Sequence, residues 1–290
     1  MTRERSGDVF SRRSDTAAGV AYWRNPAADA PTDSPIVMLH GLGADHAGLV
    51  DLVAEFGDAD TVAPDLPGYG MSAPLGEAHT VLNYAEAVEG LRKHLGVSSL
   101  VLVGHSLGAN IALAYAGLHP ARVRALALLH PVTAGVGPVS LVARGYYRAG
   151  SWLPPSLARV WLLSRPAVFI ADATSLTTRD KALRREILAR DYRAAAMASP
   201  RAISEVYRSL AKTPFHDLAA CITAPTLLVT GASDRIAHPD SVGVLHGLIP
   251  RSSLTVVDGA GHLWPVEYPV AAADLIISTL PTSRPDNASR

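Results

Sequence analysis

The sequence predicts an α/β fold: a mostly parallel, doubly wound sheet carrying an inserted set of helices. Three observations lead there. Short apolar runs alternate with stretches of helical spacing. Each apolar run stops at a glycine, proline, aspartate or histidine. One long stretch, residues 132–213, contains helical pieces and no convincing strand.

The first run is IVML at 36–39, ending at His40-Gly41. A helical stretch over about 47–56 leads to TVA at 61–63, which ends at Pro64-Asp65. Residues 81–95 have helical spacing and precede LVLV at 100–103. A helix over 107–118 follows, then VRALALL at 123–129, ending at His130-Pro131. After the strandless stretch come TLLVT at 226–230, a helix over 239–248, LTVV at 254–257 and a last helix over about 266–279. Near-continuous apolar strands separated by helices are the pattern of a parallel sheet covered on both faces. Ligands of such sheets sit beyond the carboxyl ends of the strands.

Within residues 132–213, Pro138, Pro154-Pro155, Pro166 and Pro200 cut the chain into helical pieces, the longest over about 182–198. Tyr146-Tyr147, Trp152-Leu153 and VWLL at 160–163 are apolar groups that need a surface to rest on. The stretch therefore reads as a helical lid on a core made of 17–131 and 214–280. The tails, 1–16 and 281–290, are polar and aperiodic and are expected to be loose.

Composition narrows the function classes. The chain has 290 residues, 48% of them hydrophobic, enough for one large α/β core. Its formal net charge of zero gives no electrostatic footprint for nucleic acid. A single cysteine, Cys221, excludes an internal disulfide. The polar N-terminal residues lack the apolar core of a secretory signal, and no run is long enough to span a bilayer. These features lead to the expectation of a cytoplasmic protein.

The chemistry concentrates at strand ends. Gly104-His105-Ser106-Leu107-Gly108 matches G-x-S-x-G at a strand-to-helix seam. Small residues on both sides let the turn close sharply and expose the serine Oγ at a helix N-terminus, where the helix dipole favours negative charge. A hydroxyl needs a base to become nucleophilic. His262, in Asp258-Gly259-Ala260-Gly261-His262 after the last strand, is the candidate. The base needs an orienting acid, and Asp234, just past the 226–230 strand, supplies one. The order Ser106, Asp234, His262 is the one expected for this architecture. The alternative acid position after 123–129 reads His130-Pro131-Val132-Thr133, with no carboxylate. Oxyanion donors are expected from the backbone N–H groups of Leu107 and Leu42, the latter in His40-Gly41-Leu42-Gly43. His40 and Asp65 read as loop anchors.

On these motifs the chain resembles the α/β-hydrolase superfamily, in its lid-bearing serine hydrolase branch. The resemblance covers about residues 18–280 and rests on HGLG (40–43), PDLPGYGMS (64–72), GHSLG (104–108), GASD (231–234) and GHLWPVEYP (261–269). It implies a triad of Ser106, Asp234 and His262, an acyl-enzyme intermediate and no cofactor or metal. It also implies that Glu267 and Pro269 shape the last helix. Serine at 106 separates the chain from relatives with an elbow aspartate. His105 and HGLG depart from the asparagine and S-G-x-G pattern frequent among carbon–carbon bond hydrolases.

The resulting expectation is hydrolysis of a carboxylic ester with an apolar small-molecule acyl or alcohol group. Thioester, lactone and carbon–carbon hydrolysis are alternatives, as is a non-enzymatic ligand-binding role. Trp264, Tyr146 and Trp152 are candidate pocket residues, although Trp264 equally suits packing against the last helix. Residues 138–213 hold 13 Lys and Arg against 5 Asp and Glu. That excess suits an anionic substrate or an acidic carrier protein at the lid, or simply solvated helix faces.

Overall fold

The computed structural model describes residues 14–17, 19–26, 32–132, 145–150 and 152–279. Eight strands form one sheet in the order β1-β2-β4-β3-β5-β6-β7-β8. They are β1 (Ser14–Ala17), β2 (Val20–Asn25), β3 (Ile36–Leu39), β4 (Thr61–Pro64), β5 (Leu100–His105), β6 (Val123–Leu129), β7 (Thr226–Gly231) and β8 (Ser252–Val257). Strands β3 to β8 pair in parallel, and β1 and β2 add an antiparallel edge. The doubly wound α/β expectation holds.

Side-chain alternation along the strands divides the core in two, because successive residues point to opposite faces. Val37, Leu39, Leu100, Leu102, Leu126, Leu128 and Leu228 pack with α2 (Val81–Leu95) and α3 (Leu107–Leu118). Ile36, Met38, Val101, Val103, Ala127, Leu129 and Val229 pack on the other face with Leu52 and Val53 of α1 (Val50–Ala54). Burial on both sides explains why these strands carry so few polar residues.

The edge hairpin was not expected. Ser14–Thr16, assigned from sequence to a loose segment, belong to β1, and β1 pairs Ser14 with Trp23 and Ala17 with Val20. Its sequence, SDTA, has no apolar alternation, so the pairing comes from β2 rather than from its own pattern. Gly19, at φ +86°, turns the chain between them. The rest of 1–16 and the tail 281–290 lie outside the described residues.

Between β6 and β7 the described insertion is helical. Residues 145–150 are followed by α4 (Pro155–Leu163), α5 (Arg165–Ser175), α6 (Lys181–Met197) and α7 (Pro200–Leu210). Pro155, Pro166 and Pro200 sit in the first turns of their helices, where proline's missing N–H costs nothing. Pro138 lies outside the described residues. Helix α8 (Phe215–Ala220) then returns to the core beside α3. The insertion grips the core on two sides. Glu205 accepts from His79 N at 2.9 Å, and Ser199 N donates to Gly68 O at 2.8 Å. On the other side, Glu267 accepts from Thr177 N at 2.8 Å and also from Thr178 N.

One buried carboxyl in the insertion should make stability pH-dependent. Burial, reinforced by the neighbouring Asp191, pushes Asp172 up to about 8. A carboxyl raised on folding adds stability below its ordinary range and loses it as pH rises towards the folded value. Asp172→Asn should therefore raise stability at pH about 7.5 by about 1–2 kcal/mol. The gain should fade as pH falls below about 4. Urea melts of both proteins across that range check it.

Candidate active site

The carboxyl ends of β3, β5, β6, β7 and β8 converge on one rim. At the end of β5 the chain turns into α3 at Ser106, whose φ of +54° and ψ of −117° lie outside the usual regions for an L-residue. A Cβ on Gly104 would collide with the Gly108 carbonyl, and one on Gly108 with the Leu39 carbonyl. Glycine at both positions is thus a packing requirement of the turn. Ser106 N donates to Leu129 O at 2.9 Å, which fixes the turn to the end of β6.

The loops after β7 and β8 are locked together. Ala232 N donates to Val257 O and Ser233 N to Ala260 O, each at 2.9 Å. This registers Asp234 against His262 although 28 residues separate them. His262 Nδ1 lies 2.9 Å from Asp234 Oδ2, and its Nε2 lies 2.8 Å from Ser106 Oγ. The structure therefore brings Ser106, Asp234 and His262 into one hydrogen-bonded chain.

Asp234 is buried and fully partnered. Its Oδ1 accepts from the backbone N–H groups of Ile236 at 2.7 Å and Ala237 at 2.9 Å. Its Oδ2 accepts from His262 and also from His130 Nδ1 at 2.7 Å. Burial pushes the carboxyl up, but hydrogen bonds from His130 and then His262 outweigh it and hold Asp234 well below the usual carboxylate range. An ionised carboxylate only accepts, so both imidazoles carry their proton on Nδ1. That leaves His262 Nε2 free to accept the Ser106 proton.

His130 and His105 are site residues that sequence reasoning did not assign. His130 is fully buried, and burial pushes it down, so it stays neutral. Its backbone φ is +54°, and it and Ser106 are the non-glycine residues with positive φ among those described. Strain of this kind concentrates where the surrounding structure over-determines a side chain. His105 Nε2 donates to the His262 backbone carbonyl at 2.9 Å. Burial first, then its histidine neighbours, push it down to about 3, keeping it a neutral donor. The signal available in the sequence was position: both histidines end apolar strands.

The other sequence-expected residues fall as follows. The Gly41–Leu42 turn lies against Ser106, since a Cβ on Gly41 would sit 3.4 Å from the Ser106 Cβ. Leu107 opens α3, in the turn whose N–H groups have no acceptor within the helix. His40 Nδ1 donates to Gly41 O and its Nε2 accepts from Leu66 N, both at 2.9 Å, which makes it a loop anchor. Asp65 accepts from His46 and Met71 backbone N–H groups and anchors its own loop. Trp264 is buried in the core, its ring centroid 6.4 Å from that of His130. Tyr146 stacks on Trp161, and Trp152 is 72% exposed. No described contact joins these three rings to Ser106. Among the described residues, the cluster with metal-ligand spacing is His130, Asp234 and His262. Both imidazoles aim their Nδ1 at the same carboxylate oxygen, an arrangement for hydrogen bonding rather than for ligands spread around an ion.

A parallel sheet with a serine elbow and a partnered histidine at its carboxyl rim defines a class, and comparison with known proteins agrees. The family model for the alpha/beta hydrolase fold matches residues 34–267, and the chain belongs to that family of hydrolases. It is 31% identical over 242 residues to 2-hydroxy-6-oxononadienedioate/2-hydroxy-6-oxononatrienedioate hydrolase 2 of Pseudomonas putida, covering 78% of this chain and 80% of that protein. It is 28% identical over 276 residues to the 2-hydroxymuconate semialdehyde hydrolase of the same organism, covering 88% and 90%. Among solved structures, the enol-lactonase of Burkholderia xenovorans LB400 superposes with a TM-score of 0.76 at 20% identity, over 92% of this chain and 99% of that one. A thermophilic esterase of Thermogutta terrifontis gives 0.74 at 23%, over 91% and 94%. At those identities the structural likeness establishes the fold alone.

Proposed function

We propose that the chain is a serine hydrolase that cleaves a carboxylic ester of an apolar small molecule through an acyl-enzyme on Ser106. The observation that carries this reading is the continuous path Ser106 Oγ, His262 Nε2, His262 Nδ1, Asp234 Oδ2, with links of 2.8 and 2.9 Å. In this reading His262 takes the Ser106 proton as Oγ attacks the acyl carbonyl. Asp234 holds the imidazole tautomer and stabilises the imidazolium. The N–H groups of Leu42 and Leu107 receive the oxyanion, each donor worth on the order of 3 kcal/mol in the transition state. His262 then protonates the leaving alcohol, and water repeats the steps to release the acid. The helical insertion, 132–213, serves as the lid, its hold on the His262 loop made through Glu267.

His130 acts as a positioning residue in this scheme. It shares Oδ2 of Asp234 with His262, which orients the carboxylate and spreads its charge over two donors. His130→Leu should lower kcat/KM about tenfold, the scale of one hydrogen bond to a charged group. The loss should fall on kcat rather than on KM, because the hydrogen bond removed is to Asp234. His130→Asn keeps a donor and tolerates the positive φ, so its kcat should stay near wild type. Steady-state kinetics of the three proteins check this.

A second reading is carbon–carbon bond hydrolysis, favoured by the 31% identity to a Pseudomonas putida hydrolase of 2-hydroxy-6-oxononadienedioate. The excess of basic residues in 138–213 suits an anionic substrate of that kind. The two readings separate on a panel of p-nitrophenyl esters of graded chain length, acyl thioesters, lactones and 2-hydroxy-6-oxo-dienoates. Highest kcat/KM on an ester supports the first reading. Highest kcat/KM on the dienoates, with esters near background, replaces it.

A further inference from the structure

The insertion carries large apolar side chains that face solvent. Trp152, Leu157, Val160, Phe169 and Ile170 are each more than half exposed, and Trp161 nearly so. They come from three successive pieces of chain. Leu157, Val160, Trp161 and Ile170 line a single groove of about 460 Å³, and Phe169 adjoins it on α5. Soluble monomers rarely leave so many large apolar side chains together in water.

The charge around this face has one sign. Residues 145–171 contain three arginines and no aspartate or glutamate. Arg148, Arg159 and Arg165 are all exposed. The Arg148 guanidinium lies over the Trp152 ring at 5.3 Å from its centroid. On the far side, Phe169 borders a second groove lined by Lys181, Arg184 and Arg185. The only carboxylate lining that groove, Asp172, is buried and held largely protonated by its surroundings.

We propose that this face docks on an anionic lipid surface. Tryptophan, phenylalanine and aliphatic side chains enter the boundary between headgroups and acyl chains, while the flanking guanidinium groups meet lipid phosphates. A second copy of the chain fits less well, because a two-fold contact would set the same cations face to face. An acidic protein would answer the cations and leave the apolar side chains unexplained. The protein would lie on the surface rather than cross it, since no helix among the described residues is long and apolar enough to span a membrane. This inference is independent of which bond the active site cleaves.

Flotation of the full-length protein with vesicles tests it, using phosphatidylcholine alone and phosphatidylcholine mixed with phosphatidylglycerol. Binding to the anionic vesicles should exceed binding to the neutral ones by about tenfold or more. High salt should reduce it. Arg148→Glu combined with Arg165→Glu should abolish it, and Val160→Ser combined with Ile170→Ser should lower it comparably, with thermal melts reporting the fold of each variant. In the wild type, phospholipids with brominated acyl chains should quench tryptophan fluorescence, because Trp152 and Trp161 are exposed while Trp23 and Trp264 are buried. The proposal is overturned by absence of binding to either vesicle. It is equally overturned by binding without quenching and indifferent to Val160 and Ile170, the behaviour of a purely electrostatic contact. A stable dimer that Val160→Ser with Ile170→Ser dissociates, with no vesicle binding, would assign the face to a second copy instead.

Discussion

Ser106→Ala should lower kcat by about 10⁴-fold or more on whichever substrate the wild type turns over fastest. The Ser106 hydroxyl sits at the turn into α3, 2.8 Å from His262 Nε2. What remains after its removal is the rate supplied by oxyanion donors and binding. The fold should be kept, because alanine preserves the Cβ and the backbone bond from residue 106 to Leu129 O is untouched. Steady-state kinetics beside a thermal melt separate the two effects. A variant that melts like wild type and retains a tenth of its kcat would remove Ser106 from the chemistry.

Asp234→Asn should cost a comparable factor, about 10⁴ in kcat, for a different reason. The carboxylate accepts from two imidazoles through the same oxygen, Oδ2. An amide offers one oxygen and one donating nitrogen. If the oxygen faces the histidines, the amide N–H₂ meets the Ile236 and Ala237 N–H groups that Oδ1 now receives. If it turns, the nitrogen faces two N–H groups and His262 must take the tautomer that puts a proton on Nε2, where it no longer accepts from Ser106. Either outcome disturbs the relay, and Asp234→Asn should also melt lower by about 1–3 kcal/mol, the cost of an unsatisfied buried polar group. Kinetics and urea melts of the variant check both. Near-wild-type kcat would mean that His262 is oriented by something other than Asp234.

The parallel strands were legible because burial on two faces leaves them almost no polar positions. Val101, Leu102 and Val103 alternate between the two core layers, yet all three are apolar. The three residues that the structure joins by hydrogen bonds were legible because glycines punctuate the strand ends where they sit: Gly104 and Gly108 around Ser106, Gly231 before Asp234, Gly259 and Gly261 before His262. The edge strand β1 was hidden because SDTA carries no pattern and pairs only through the register of β2. His130 was hidden by distance along the chain. Its meeting with Asp234 spans 104 residues and follows from β6 and β7 being neighbours in the sheet, a fact of strand order that no local spacing reveals. Glu267 is a similar case: its position after the histidine was visible, but its hold on Thr177 and Thr178, 90 and 89 residues away, was not. The apolar groups of the insertion were legible as apolar and were assigned a surface to rest on. Trp152 and Val160 instead face solvent, because periodicity reports which side chains are apolar and not which of them are covered.

A Ser106 hydroxyl activated by His262 should react with a fluorophosphonate, and intact-protein mass spectrometry with peptide mapping of the adduct reads this out. One phosphonyl group is expected on Ser106 of the wild type and none on Ser106→Ala. A folded wild type that stays unmodified, or an adduct that maps elsewhere and persists in Ser106→Ala, would contradict it.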